Sequence, residues 1–447
     1  MDVEGLPGYR GLALDVLRRA GVRVGDSIRV RRGDDVFEGV LMPRTEYGDE
    51  FHIVLKLSSG YNVGIRVTPD TVVERVGAGE RLAFVPPPPP PTKPGLPRVS
   101  FISTGGTIAS RVDYRTGGVR VALTAEDLYS IIPEASDIAI VEAEVLFNLF
   151  SENLAPKHWV EIAGRVAERI KGGVDGVVVA HGTDTMAYTS AALSFALRGL
   201  PVPVLLVGSQ RSSDRPSSDA AVNFIGAVTA ASRGPFAEVA VAMHETTSDE
   251  AVAVHRGTRV RKCHTSRRDA FRSINITPIA RVVDGRVEML VGDYQRRDPN
   301  RELELMAKFE EKVALLKFYP GMNPAIIDWL VDEGYRGLIL EGTGLGHVGR
   351  YCFDAVKRAI KEGVVVAMTS QCIWGRVNMN VYDTGRDLLA MGVLPLEDMI
   401  PETALVKLMW VLGSLTQDPE DAKKYMLANF AGEINPRSPM ESTAPTW

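Results

Sequence analysis

The chain has 447 residues, 45% of them hydrophobic and 24% charged, with a formal net charge of −5. That length is too great for one ordinary core and predicts two or three soluble domains, and the weak acidity leaves no electrostatic footprint for nucleic acid beyond a local patch. Cys263, Cys352 and Cys372 have no CxxC spacing, the opening MDVEGLPGYRG lacks the features of a secretory signal, and no apolar run reaches about 18 residues. A reducing, cytoplasmic compartment with no membrane span is therefore expected.

Residues 1–85 read as a unit of their own. Leu12–Ala20 has helical spacing and Gly21 stops it. Strand-like runs follow at Ser27–Arg31, Asp35–Met42, Phe51–Leu57 and Tyr61–Val67, with clear alternation in IRVRR and VFEGV. Hairpin-linked strands with one buried face, forming a small, partly closed β-barrel, are expected. Lys56, Arg66 and the Arg29–Arg32 run are candidates for RNA contact, against the plainer reading of solvated strand faces. Pro86–Pro91 is an unbroken proline run and, with Pro94 and Pro97, predicts a stiff polyproline II linker over 86–97.

Residues 98–300 alternate apolar strands (Val99–Ser103, Ile138–Leu146, Val177–Ala180, Val204–Val207, Val239–Met243) with helical patterns (Ala125–Ile132, Lys157–Lys171, Tyr188–Leu197, Ser218–Ser232) and end near a hairpin at VVDGRVEML. Such alternation predicts a mostly parallel sheet with helices on both faces. Residues 301–312 predict a connecting helix. Residues 313–447 predict a smaller α/β domain, with strands at Val313–Phe318, Gly337–Leu340 and Val364–Met368.

Two stretches organise the middle of the chain. RVSFISTGGTIAS (Arg98–Ser110) and GVVVAHGTDTM (Gly176–Met186) are short apolar runs that each stop at a Gly–Thr cluster. Neither has the spacing of a phosphate loop or a dinucleotide turn. Ligands in open α/β sheets bind beyond the carboxyl ends of the strands, so Thr107 in one loop and Thr183 with Asp184 in the other could face one substrate.

These segments resemble the signature segments of the bacterial-type L-asparaginases and glutaminases. GSQRSSDRPSSDAAVN from Gly208 and RKCHTSRRDAFRSIN from Arg261 match further segments of that family, in the same order. The resemblance runs from about Arg98 to the C-terminus. The N-terminal extension and the segment NFAGEINPRS are similar to the branch that forms the D subunits of archaeal glutamyl-tRNA(Gln) amidotransferases. It implies an asparaginase-like two-domain α/β fold preceded by a small SH3-like β-barrel used for assembly.

The resemblance also implies a site. Thr107 and Thr183 would be its two hydroxyls, with Asp184 and Lys262 tuning them. A threonine hydroxyl needs a neighbouring base, a lone exposed aspartate is a poor one, and a lysine held neutral by burial is a better one. Thr107 is assigned as the nucleophile that forms an acyl-enzyme, with Thr183, Lys262 and Asp184 assisting water and proton transfer; an exchange of the two threonines' roles stays open. Backbone N–H groups in the Gly106–Thr107 and Gly182–Thr183 turns are candidate oxyanion donors. Tyr114 either hydrogen-bonds the nucleophile or covers the site as a loop aromatic. Ser151 and Glu152 stand where the family grips the substrate's α-carboxylate and α-amino groups. The family also borrows a Glu and an Asn from a neighbouring subunit, and LEGTGLGHVG and SQCIWGRVNMNVYDTG do not reveal that Glu.

The implied activity is hydrolysis of glutamine, with ammonia passing to a synthetase-like E subunit that converts Glu-tRNA(Gln) to Gln-tRNA(Gln). No ATP motif is visible, so ATP, Mg2+ and most tRNA contacts are assigned to that partner, with no cofactor or metal in this chain. A homodimeric core within an α2β2 assembly is implied. His181 reads as a locally bonded residue, and His255, His264 and His347 lack metal-site spacing. Three rivals stand beside this reading: a Cys263–His264 thiol glutaminase, a free-standing L-asparaginase, and a non-catalytic scaffold on an asparaginase fold.

Overall fold

The computed structural model describes residues 5–44, 48–58, 62–77, 95–106, 108, 110–112, 119–121, 132–211 and 217–438. The proline run at 86–91, nearly all of the helix expected at Ala125–Ile132, and the candidate site residues Thr107 and Tyr114 lie outside the described residues.

In the N-terminal region the helix Gly11–Arg19 precedes an antiparallel five-stranded sheet. Its order is Asn62–Arg66, His52–Lys56, Asp35–Leu41, Ser27–Arg32, Val72–Gly77. Ile28, Val30, Leu41, Ile53, Leu55 and Ile65 point inward against Ala13, Leu14 and Leu17 of the helix, as the alternation required. The last strand was not anticipated, because VVERVG buries only Val73, which sits opposite Val30. The arginine run is charge-matched across the strands: Arg29 pairs with Glu38, Arg31 approaches Glu74, and Arg32 bonds Asp35. That matching favours the solvated-face reading over an RNA surface.

The eight-stranded sheet runs from Arg286–Met289 through Ala280–Val283, Ala251–Arg256, Val239–His244, Val204–Val207, Gly176–Ala180 and Arg98–Ser103 to Ile140–Val145. The five strands from Val239–His244 to Ile140–Val145 are mutually parallel and the other three join antiparallel. Numbered in chain order from Arg98–Ser103, the parallel strands lie 2-1-3-4-5, so the winding reverses between Arg98–Ser103 and Gly176–Ala180. Doubly wound sheets place ligands at such a reversal.

GVVVA is buried along its whole length because both faces are covered. Val178 and Ala180 pack under the helix Ala220–Arg233 with Phe224 and Val228. Val177 and Val179 pack under the helices Pro156–Lys171 and Met186–Ala196 with Ile162, Val166 and Leu193.

The helix expected at 301–312 is absent, and the segment is an extended strap. Glu304–Leu305 pairs antiparallel with Leu197–Arg198. Met306 N–H donates to the Ala196 carbonyl (2.8 Å), its own carbonyl accepts from Trp410 Nε1 (2.8 Å), and Glu310 N–H donates to Met409 (2.8 Å). Leu303 and Ala307 pack into one core, Met306 into the next and Phe309 into both. A segment lying between two layers finds backbone partners on both sides, and that overrides the helix propensity of ELELMAKFEEK.

Beyond the strap, a parallel sheet of Val313–Lys317, Gly337–Gly342, Val365–Ser370 and Leu394–Pro395 carries the helices Ala325–Asp332 and Phe353–Lys361. The helix Pro401–Trp410 lies against Met186–Ala196, and Trp410 stacks on Phe195 with ring centroids 5.4 Å apart. The chain then returns over this junction. Buried Lys407 meets buried Glu433 at 2.7 Å and also donates to the carbonyls of Met426 and Ala428. Glu433 accepts in turn from the backbone N–H groups of Phe430 and Ala431.

This packing sets two expectations for stability. Glu433→Ala strands a buried ammonium, and the loss should be roughly 3–5 kcal/mol in a urea or thermal unfolding measurement. Burial holds His181 down at about 4 and His255 at about 3. Between pH 6.5 and those values the unfolded chain binds the protons that the fold refuses. Stability should therefore fall with falling pH through this window, by about 1.4 kcal/mol per pH unit for each ring. A denaturation midpoint that stays level from pH 6.5 to 5 would contradict it.

Candidate active site

Thr104 closes the seam between the two reversing strands. Its backbone N–H and its hydroxyl both donate to the Ala180 carbonyl, at 3.0 and 2.8 Å. The chain then turns through Gly105 and Gly106, at φ of 115° and 86°, a region that disfavours residues with a Cβ. At Gly106 the space is also filled: a Cβ there would lie 2.9 Å from the Gly182 nitrogen. Gly182 is pressed from its other side by Ser151, where a Cβ would stand 2.8 Å from the Ser151 Cβ. The Thr185 hydroxyl locks this arrangement by donating to the Ser151 carbonyl at 2.8 Å. Gly106, Gly182 and Ser151 thus meet beyond the ends of neighbouring strands, while Glu152 lies exposed on the same short turn.

Thr183 and Asp184 follow Gly182 at the mouth of this crevice. Lys262 enters from a separate antiparallel ribbon, Val260–Lys262 against Phe271–Ser273. Its ammonium donates to Thr183 Oγ1 at 2.8 Å and to Asp184 Oδ1 at 2.7 Å. The lysine side chain is 14% exposed and the Asp184 side chain 71%, so the cation is sheltered while the acid faces solvent. As an ammonium Lys262 can only donate to Thr183; as a neutral amine it can accept the hydroxyl proton through the same contact. Of the expected residues, Gly106, Ser151, Gly182, Thr183, Asp184 and Lys262 share one locale, with Thr107 next in chain to Gly106.

The rival nucleophile does not assemble. Burial pushes the Cys263 thiol up, and its Sγ donates to the Arg261 carbonyl at 3.6 Å. His264 Nδ1 is occupied by the backbone N–H groups of Ser266 and Arg267, at 3.0 and 3.1 Å. His181 is fully buried, and its Nδ1 pairs with the Gly182 carbonyl at 2.7 Å. Among the described residues no group of three or more His, Cys, Asp or Glu could hold a metal ion, and no helix is long and apolar enough to cross a membrane.

Several supporting residues went unassigned in the sequence. Gly208, at the end of the next strand, abuts Thr183, since a Cβ there would lie 2.9 Å from the Thr183 Cγ2. Asp219 accepts from the N–H groups of Gln210 and Arg211, and Asn223 donates to the Gly208 carbonyl at 3.0 Å. Buried His244 joins Asn223 (2.5 Å) to Asp249 (3.0 Å), which pairs with Arg268. This chain of polar contacts ties the tip of the Lys262 ribbon to the loop behind Thr183. The spacing of Asp219 and Asn223, one helical turn apart in the GSQR motif, was the available signal.

Comparison with known proteins identifies the fold and the family. The family description "Asparaginase, N-terminal" matches residues 98–293, "Glutaminase/Asparaginase C-terminal domain" matches 312–426, and "GatD N-terminal domain" matches 22–75. The thermostable L-asparaginase of Thermococcus kodakarensis superposes with a TM-score of 0.68 at 36% identity, covering 76% of this chain and 100% of that one. L-asparaginase I of Vibrio cholerae gives 0.67 at 29% identity, covering 76% and 99%. The D subunit of the glutamyl-tRNA(Gln) amidotransferase of Methanopyrus kandleri is 53% identical over 438 residues, 96% of this chain and 95% of that one. Its counterpart in Pyrococcus abyssi is 53% identical over 431 residues, 94% and 97% of the two chains. With both asparaginase-type parts and the N-terminal region accounted for over nearly the full length of such relatives, the chain belongs to the family of glutamyl-tRNA(Gln) amidotransferase D subunits.

Proposed function

We propose that this chain hydrolyses glutamine and releases ammonia as the glutaminase subunit of a tRNA-dependent amidotransferase. The observation that carries the reading is the Lys262 ammonium bonded to both Thr183 and Asp184 at the reversal of a doubly wound sheet, in a chain of this family. The amide carbonyl of glutamine would sit between the Gly106 and Gly182 turns, whose N–H groups would stabilise the oxyanion. The Thr107 hydroxyl would attack the carbonyl carbon, the C–N bond would break, and the departing nitrogen would leave as ammonia after taking up a proton. Water, oriented by Thr183 with Lys262 and Asp184, would then open the ester and release glutamate. The Ser151 hydroxyl would donate to the substrate's carboxylate, and Glu152 and Asp184 would accept from its ammonium. Tyr114 would complete the Thr107 side.

The division of labour with other chains belongs to the same proposal. A synthetase-like E subunit would supply ATP, Mg2+ and most contacts to Glu-tRNA(Gln). The segments 1–85, 98–300 and 313–447 would act as assembly domain, larger catalytic domain and smaller catalytic domain, the first two joined by the proline linker. A second copy of this chain would pack on the carboxyl edge of the smaller sheet, where Tyr319, Tyr351 and Tyr382 are exposed. A cytoplasmic location fits tRNA as the final acceptor.

Thr183→Ala and Lys262→Ala should each lower glutamine hydrolysis by about 10²–10⁴-fold, the usual worth of a positioned acid or base, while Cys263→Ala stays within about twofold. An electrophilic glutamine analogue followed by peptide mapping identifies the nucleophile: label on Thr107 is expected, and label on Thr183 exchanges the two roles. Glutamine hydrolysis should rise when the partner and Glu-tRNA(Gln) are added. Equally fast, partner-independent asparagine hydrolysis would instead mark a free-standing asparaginase.

A further inference from the structure

The ribbon that presents Lys262 is gripped at its base by the smaller domain. Its two arms begin at Arg259 and end at Asn275, and the Ile274 N–H donates to the Arg259 carbonyl at 2.7 Å. Both arms converge on one residue, Asp398. The fully buried Arg259 guanidinium pairs with the Asp398 carboxylate at 3.1 Å and donates to its carbonyl at 2.9 Å. Asn275 donates to the same carbonyl at 3.3 Å. Asn275 also exchanges two hydrogen bonds with Gly375 of the smaller domain, both 2.8 Å, and holds a left-handed φ of 62°. The returning C-terminal segment closes the grip, since Asn435 donates to the Asp398 carboxylate through its backbone (2.9 Å) and its side chain (2.7 Å).

A second acid holds the arm one residue from the lysine. Arg261 Nε lies 3.0 Å from Glu402 Oε1, on the first turn of Pro401–Trp410. Glu402 is buried, and its second oxygen has no hydrogen-bond partner. Burial of a carboxylate oxygen without a partner is costly. Arg261 and Lys262 are successive residues of the strand Val260–Lys262, so alternation turns them to opposite sides, while Arg259 sits in the turn that leads into the strand. The contacts of Arg259 and Arg261 therefore fix the backbone from which Lys262 projects.

We propose that Asp398 and Glu402 are positioning residues for Lys262, so that the smaller domain aims the lysine at Thr183 and Asp184 while touching neither of them. The proposal rests on the reading of Lys262 as part of the reaction machinery. Misplacement by about 1 Å is enough to cost on the order of 10²-fold in a positioned reaction.

The test uses the full-length chain in its assembled complex. Glu402→Ala removes the partner of Arg261, and Glu402→Gln keeps an acceptor for it. Arg259→Met combined with Asp398→Leu replaces the buried pair by apolar groups, an exchange that is often neutral for stability. Kinetics on glutamine, melting temperature, and the rate at which an amine-directed reagent labels Lys262, read by peptide mapping, are measured for each. Glu402→Ala and the double variant should lose about tenfold or more in kcat with KM within about twofold, and label Lys262 several times faster. Glu402→Gln should recover most of the turnover.

A purely architectural role would lower the melting temperature while leaving kcat per folded enzyme and Lys262 labelling at wild-type values, and that result would overturn the proposal. If the double variant does not fold, the Glu402 pair decides. Lys262→Ala serves as the reference. Should it retain turnover, the catalytic reading of the lysine falls, and the labelling rates alone decide whether the smaller domain positions it.

Discussion

A lysine ammonium shared between a threonine hydroxyl and a carboxylate cannot be assembled from one loop. Thr183 and Asp184 are neighbours in the chain, but Lys262 lies 79 residues beyond Thr183 and must be delivered through structure that keeps its amine at 2.7–2.8 Å from both. The large sheet supplies the threonine and the acid at its reversal point. The lysine comes on a ribbon outside that sheet, and the ribbon's aim depends on what holds its base. Three ion pairs gather around that junction: Arg259 with Asp398, Arg261 with Glu402, and Lys407 with Glu433, the last where the C-terminal segment returns.

Close backbone approach is the second requirement. The loops after Arg98–Ser103 and Gly176–Ala180 touch through Gly106 and Gly182, where a methyl group on the first would press on the nitrogen of the second. If the two turns supply N–H groups to one oxygen, as proposed, they need this proximity, because side chains between them would hold the donors apart. Thr104 sets the separation by bonding twice to the Ala180 carbonyl. Glycine here is imposed by packing as much as by backbone angle.

Local pattern made much of this legible in the sequence. The strands around Val99, Val177, Val204 and Val239 are short, β-branched and buried on both faces, and such runs announce themselves without tertiary information. The Gly–Thr loops and Lys262 were legible through motif resemblance. The strap at 301–312 reads as a helix in the sequence because its extended form depends on partners about 100 residues away, Met409 and Trp410 among them. Val72–Gly77 was missed because it buries a single valine. Asp398, Glu402 and His244 carry no local signature at all. Each is an ordinary polar residue whose meaning comes from a distant partner, and single-sequence reasoning has no access to that pairing.

The same junction explains why a lysine suits this site better than its neighbours. In the proposed reaction, a group that assists Thr183 must reach its hydroxyl from a sheltered position. His181 is sheltered, but its Nδ1 is committed to the Gly182 carbonyl, and burial drives it toward the neutral form without aiming it at the threonine. Cys263 is half-buried in a setting that opposes thiolate formation. Lys262 alone among these combines a stem long enough to cross from the ribbon to the crevice with a head that meets both Thr183 and Asp184. Its flexible stem is also its weakness, since four rotatable carbons hold no direction by themselves. Direction has to come from the backbone at Val260–Lys262, and that backbone is fixed from the far side by acids belonging to the smaller domain.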